Sequence, residues 1–302
     1  MKKYVLFCLI IFILSSCRKT YVDSISFNVT TASTTYKVGD TISFLFSGNA
    51  DNVTFYPGTS GFKYENKDRI SENGVPILTF STLKELNTVD TSLSLLVSTD
   101  FNGIYDSVNV LSAKWTDITA RATLSTAATK DTIASGSVDL SDFTTEQKPI
   151  YIAYKFIGKS NPTIAQSKWT VNHFLLTNNL KDSSKQVVAT QADASFIGIN
   201  VKNSTNKWVV SATQIQIKGG AKNEADNEDW AISRPLRIDR VLPDNGYALK
   251  NISSNLTSYK VPNTTFQGYL SPGKYKATFV ASNKTAFKNE TIIKEIEITI
   301  VP

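Results

Sequence analysis

The sequence predicts an all-β protein, and three observations carry that prediction. Apolar and polar residues alternate with a period of two in one short segment after another. These segments are separated by clusters of Gly, Asn, Asp, Ser and Thr, the residues of turns. No stretch repeats with the 3.6-residue period of an amphipathic helix, and no Gly/Pro-rich linker divides the chain into compositional halves. The pattern opens at Ile25, with Phe27 and Val29 alternating with polar neighbours. It resumes in Thr41–Phe46 after the turn signal Val38-Gly39-Asp40, then in Val53 and Phe55 before Tyr56-Pro57-Gly58. Further on, Leu93, Leu95 and Val97 share a face, as do Ala113, Trp115 and Asp117. Ile152, Tyr154 and Phe156 alternate with Tyr151, Ala153 and Lys155. Trp169, Val171, His173 and Leu175 define the next strand, with His173 read as a half-buried core residue, and Ile215 and Ile217 precede Gly219-Gly220. Ser81–Leu86 reads as a short helical turn. The cleanest pattern is the last. Tyr275, Ala277 and Phe279 alternate with polar residues after Pro272-Gly273, and Ile296, Ile298 and Ile300 alternate with Glu295, Glu297 and Thr299. Each such strand has one wet and one dry face, which favours antiparallel sandwiches or jelly rolls over a parallel α/β sheet.

The chain of 302 residues suits one large or two medium domains. Its formal charge is +6, and the lysines and arginines are spread along it, so a nucleic-acid partner is not expected. The N-terminus carries Lys2 and Lys3, then an apolar run from Tyr4 to Leu14, too short to span a bilayer. That run ends in Leu14-Ser15-Ser16-Cys17, which resembles the lipobox of bacterial lipoproteins, where the cysteine sulfur is acylated. The expectation is a signal peptide over 1–16, lipidation at Cys17 and a tether over 17–24. Cleavage removes Cys8 and acylation consumes Cys17, so an exported protein is left with no disulfide and no free thiol. Cysteine-based zinc sites and thiol nucleophiles are thereby excluded. Arg18 and Lys19 follow the cysteine instead of acidic residues, and both the surface and the periplasmic face of the membrane stay open.

Several strings resemble one family: Phe55-Tyr56-Pro57-Gly58, Ser98-Thr99-Asp100-Phe101, Trp115-Thr116-Asp117-Ile118-Thr119, Ser135–Leu140 and Glu228-Asp229-Trp230-Ala231-Ile232-Ser233. Together they resemble the Bacteroidetes lipoproteins that carry the domain of unknown function numbered 5017. The terminal strand from Pro272 to Val280 also resembles the closing strands of PKD-type immunoglobulin-like domains, and Tyr36–Phe55 their opening strands. The middle resembles the choice-of-anchor jelly rolls, relatives of galactose-binding-like domains. The resemblance implies an immunoglobulin/PKD-like sandwich formed by 25–75 and 241–302, with a jelly-roll sandwich over 76–240 inserted between its halves. Insertion is tolerated where both ends meet at an exposed loop.

For catalysis the sequence offers little. His173 is the single histidine, and there is no Gly-x-Ser-x-Gly elbow, His-Glu-x-x-His or phosphate-binding Gly-rich loop. A glycosidase needs only two carboxylates, yet nothing singles out a pair among the 26 acids. Asp226, Glu228 and Asp229 cluster before Trp230 and form the candidate site for a structural calcium ion, whose ligands are oxygens. Aromatic rings stack on the apolar face of a pyranose, with amides and acids nearby to bind its hydroxyls. Tyr56, beside a Gly-rich turn, and Trp208, after the polar run Lys202–Lys207, are the candidate sugar-binding residues. The remaining tryptophans, Trp115, Trp169 and Trp230, read as core. The leading expectation is a non-catalytic outer-membrane lipoprotein that binds polysaccharide for a glycan-uptake system, alongside a transporter or other lipoproteins. The alternatives are a structural or adhesive module that binds a protein partner through an edge strand, and a glycoside hydrolase.

Overall fold

A computed structural model describes residues 24–86, 92–126, 131–144, 148–250, 255–285 and 288–302. The signal segment and the lipidation site Cys17 lie outside the described residues. The described chain divides into two compact units, one holding residues up to Asp68 together with Pro243–Pro302, the other Arg69–Leu242. The first unit opens with strands β1 (Phe27–Thr31), β2 (Thr35–Lys37), β3 (Ile42–Gly48) and β4 (Asn52–Tyr56). The second holds β5 (Val75–Glu85), β6 (Leu93–Ser98), β7 (Thr116–Asp117), β8 (Ile133–Ala134), β9 (Val138–Asp139) and β10 (Tyr151–Gly158). It continues with β11 (Lys168–Asn179), β12 (Lys185–Thr190), β13 (Ile197–Lys202), β14 (Val209–Val210), β15 (Gln214–Lys218) and β16 (Asn227–Ile232). The first unit resumes with β17 (Tyr247–Lys250), β18 (Ser258–Val261), β19 (Gly273–Lys284) and β20 (Asn289–Val301). Helices are short: α1 is Ser107–Ser112 and α2 is Gln191–Ala194.

In the discontinuous unit, a three-stranded sheet β1-β3-β18 faces a five-stranded sheet β17-β4-β19-β20-β2. All pairings are antiparallel except β2 with the end of β20. The period-two pattern places Ile42, Phe44, Val53, Phe55, Ala277, Phe279, Ile298 and Ile300 inward, where they form one core. At its centre the rings of Phe55 and Phe279 stack at 4.8 Å, and Phe44 meets Phe279 edge-on at 5.0 Å. Such offset and edge contacts add to the hydrophobic gain from burying each ring.

In the other unit, sheets β13-β16-β10-β6-β7 and β14-β15-β11-β5-β8 enclose the larger core, with β12 also pairing with β11 and β9 with β5. Leu95, Val97, Ile152, Tyr154 and Phe156 project into it from one sheet, and Leu78, Phe80, Trp169, Val171 and Leu176 from the other. β6 and β10 are buried on both faces. Their reverse side carries Leu96, Tyr151 and Ala153, which join Trp230, Phe101 and Val110 in a second apolar layer. Trp169 and Trp230 are buried, and Trp115 is half-buried with its ring 5.2 Å from that of Trp230.

Three local expectations are corrected. Ser81–Leu86 is not a helical turn: Ser81 to Glu85 continue β5, because a ladder to β11 fixes them as strand and buries Phe80, Thr82 and Lys84 on alternate positions. The Trp115–Thr119 strand shrinks to Thr116–Asp117. The chain before it is taken by α1, nucleated by Asp106, whose Oδ1 accepts the Asn109 N–H at 2.8 Å. His173 is exposed, not core: the β5–β11 register shifts between Asn172 and Leu175, and His173 adopts φ +54. This bulge turns Phe174 inward in its place.

Candidate functional site

The discontinuous unit carries an open groove of about 390 Å³ built by four pieces of chain distant in sequence. Thr59 and Ser60 come from the turn after β4, Tyr247 opens β17, Thr265 to Ser271 form a loop, and Tyr275 stands on β19. The turn is closed by mutual backbone bonds, Gly58 N–H to Phe62 O at 3.0 Å and Phe62 N–H to Thr59 O at 2.9 Å. Gly58 is required there. Its φ is +81, and a Cβ would come within 2.7 Å of the Lys276 carbonyl oxygen on β19. The loop is organised by Asn263, whose Oδ1 accepts the N–H groups of Thr265 at 2.8 Å and Phe266 at 2.9 Å.

Three rings line the groove, Tyr247, Phe266 and Tyr275, and they belong to a continuous series with Phe62 and Tyr269 behind it. Phe62 stacks flat on Tyr247 at 4.8 Å, Tyr247 lies 5.9 Å from Phe266, Phe266 meets Tyr269 edge-on at 5.3 Å, and Tyr269 lies 4.7 Å from Tyr275. Tyr269 is buried beneath the loop and donates its hydroxyl to the Pro57 carbonyl at 3.1 Å. Burial holds that phenol well above the ordinary tyrosine range. Tyr275 donates to the Ser271 carbonyl at 2.9 Å, which fixes the ring at the groove wall. Tyr247 is also shifted upward, by burial first and then by the neighbouring Tyr259. The polar groups on the walls are the hydroxyls of Thr59, Ser60, Thr265 and Ser271 and the amide of Gln267. Among the described residues, no Asp, Glu, Lys or Arg lines the groove. Fixed aromatic faces flanked by uncharged donors and acceptors can stack on a sugar ring and hydrogen-bond its hydroxyls.

The residues singled out from sequence lie elsewhere. Tyr56 sits on β4, half-buried, with its ring edge-on to Tyr64 at 5.4 Å and Gly246 packed against it. Burial raises its phenol above the ordinary value. It does not line the groove. Trp208 is corrected: it is a core residue, 6% exposed, not a ring at a loop edge. Gly198 on β13 leaves the room it fills, and its Nε1 donates to the Asp229 carbonyl at 3.3 Å.

The acidic trio is corrected as well, because Asp226, Glu228 and Asp229 do not converge. Glu228 and Asp229 are adjacent on β16 and so point to opposite faces. Glu228 pairs with Lys155 at 3.1 Å and accepts from Trp230 Nε1 at 3.0 Å. Asp226 accepts the Ser160 N–H at 2.9 Å and pairs with Lys159 at 3.1 Å, which hold its carboxyl below the usual range. Asp229 faces inward, fully buried, and accepts from Asn200 Nδ2 at 2.8 Å. Burial pushes its carboxyl up to about 6. Among the described residues no three His, Cys, Asp or Glu side chains are grouped to hold a metal ion, and this trio does not fit calcium.

The groove residues were missed because they are scattered over more than two hundred positions. The signal available in sequence was the run of rings Phe266, Tyr269 and Tyr275 in one segment. No helix among the described residues is long and apolar enough to cross a membrane. No curated protein and no solved structure matches the chain. The profile of the family described as Domain of unknown function (DUF5017) matches residues 16–196, more than half of the sequence, and the chain belongs to that family.

Proposed function

We propose that the chain is a lipid-anchored outer-membrane protein that binds carbohydrate, without catalysis, for a glycan-uptake system. The observation that carries the binding reading is the ring-lined groove with hydroxyl and amide walls and no charged lining. That lining matches a neutral saccharide, and the absence of a carboxylate among its described residues argues against glycosidic hydrolysis there. The anchor rests on Leu14-Ser15-Ser16-Cys17. Two acyl chains on one sulfur suffice for stable membrane attachment. The strand order of the discontinuous unit, with β2 running parallel to the last strand, supports an immunoglobulin/PKD-like sandwich; the two large sheets of the other unit support a jelly roll. Affinity electrophoresis through neutral polysaccharides tests the groove. Wild-type protein is retarded by at least one, and Tyr247→Ala and Tyr275→Ala migrate freely. Unchanged mobility on every glycan overturns the reading. Palmitate labelling that is lost in Cys17→Ala tests the anchor separately.

A second reading is favoured by one specific feature. On the side of β20 away from β19, only Thr299–Val301 are paired, with β2, and no strand among the described residues pairs with Asn289–Ile298 there. An unpaired edge of that length is a template for an added strand from a protein partner. Capture of a partner that is lost on introducing proline at Ile293, with no retardation by any glycan, favours this reading.

A further inference from the structure

Five arginines fall among the described residues, and three of them hold a carboxylate. Arg69 pairs with Glu72, Arg121 grips both oxygens of Asp142 at 2.8 and 2.7 Å, and Arg237 grips both of Asp239 at 2.7 and 2.8 Å. The remaining two, Arg234 and Arg240, make no ion pair and no side-chain hydrogen bond among the described residues, and both line the same pocket of about 180 Å³. Arg234 and Arg240, both exposed, thus line one concavity without an ion-pair partner, and a guanidinium carries a fork of donors shaped for an oxyanion.

Their backbones are held in place. Arg234 donates its N–H to the Ala194 carbonyl at 2.9 Å, and Arg240 donates to Arg237 at 3.1 Å while bridging Ser71. Val187 and Val188 on β12, with Val241 and Leu242, supply an apolar wall; Val187 and Leu242 are exposed. The one acid among the described lining residues, Asp193, is engaged with the N-cap of α2, accepting the Thr190 N–H at 3.1 Å and its hydroxyl at 2.7 Å. Those bonds, more than Arg234, hold its carboxyl below the ordinary range. Asp193 thus leaves both arginines available, yet its charge disfavours a second negative charge on a ligand.

We propose that this pocket binds a singly charged carboxylate carried on a small body with an apolar face, the chemistry of a hexuronic acid. The forks of Arg234 and Arg240 take the carboxylate, and the C–H face of the ring lies on the valine wall. This pocket and the neutral groove belong to different units, and binding at one does not require the other.

Titration of the folded chain with glucuronate, glucose and inorganic phosphate, followed by calorimetry and methyl NMR, tests it. Glucuronate is expected to shift the methyl signals of Val187, Val188, Val241 and Leu242, with affinity falling as salt rises. Arg234→Gln and Arg240→Gln are each expected to weaken it at least tenfold while the remaining methyl spectrum stays that of the folded protein. Tyr247→Ala is expected to leave it unchanged. Glucose binding as well as glucuronate, phosphate binding more tightly than glucuronate, unchanged affinity in both arginine variants, or no shift at these methyls would each overturn the proposal.

Discussion

The ring of Phe62 lies flat on that of Tyr247, centroids 4.8 Å apart and planes within 14°. One ring comes from the turn after β4 and the other from β17, so the stack ties together two walls separated in sequence by the whole of the second unit. Phe62 is not itself in the groove lining. Its truncation should therefore act through the position of Tyr247. Phe62→Ala is expected to weaken retardation by a neutral glycan up to about tenfold, the equivalent of one lost aromatic pair of ~0.5–1.5 kcal/mol, while Tyr247→Phe retains most binding. Mobility series over glycan concentration measure both.

Phe279 sits where four rings meet, stacked on Phe55 and edge-on to Phe44 and Phe46, with no exposed surface. Phe279→Ala removes the shared partner of both sheets of that unit. A loss of about 3–5 kcal/mol is expected, read as a lower denaturant midpoint for that unit. Phe279→Leu should recover most of it, because volume and apolarity are largely kept.

The strands around Phe279 were legible because alternation is strict where one face is wet. Ile296–Ile300 follow it without interruption, and Tyr275–Phe279 follow it in sequence although Thr278 on the polar side is buried. Legibility ended where a tertiary event breaks the period. At His173 the bulge inverts the faces, so the residue expected inside is outside and Phe174 is inside. β6 and β10 keep their alternation, with Leu93, Leu95 and Val97 and Ile152, Tyr154 and Phe156 on one face, but it did not show that their other face is buried too. Trp208 was misplaced for a related reason. Its polar neighbours Lys202–Lys207 described the loop, not the residue that returns into the core beneath it. The groove was illegible because its walls come from the turn at Thr59, from Tyr247, from the loop after Asn263 and from β19, and only strand pairing joins them. The acidic trio misled because three near neighbours in sequence lie on two faces of one strand and its preceding turn.

Gly48 ends β3 with φ +122, opposite Phe27 on β1. A Cβ there would overlap the carbonyl of Ser26, which is backbone and has nowhere to move without breaking the β1–β3 ladder. Gly48→Ala is expected to cost at least ~2 kcal/mol from the strained conformation alone. A thermal melt should show the loss, while Gly136→Ala, at a less extreme φ of +73 and in open space, loses less.

Asp229 gives the chain a pH dependence that is opposite to that of a surface carboxylate. Its side chain is fully buried on the inner face of β16, one oxygen bonded to Asn200 and the other without a partner. Burial raises it from 3.8 to about 6; the bond from Asn200 and the nearby Asn227 amide oppose the shift, Glu228 adds to it and Lys207 subtracts. Between those two values the folded state holds a proton that the unfolded state has released. Stability from this group is therefore complete below about pH 4, falls as pH rises through about 6, and is absent above. That displacement of the proton equilibrium is worth roughly 3 kcal/mol, an order-of-magnitude figure. Asp229→Asn removes the titration and keeps an acceptor for Asn200. It should match wild type near pH 4 and exceed it by up to about 3 kcal/mol at pH 8. Denaturant midpoints for both proteins from pH 4 to 8 measure the difference, in which the other carboxylates cancel. A constant difference across that range would show that Asp229 does not titrate within it.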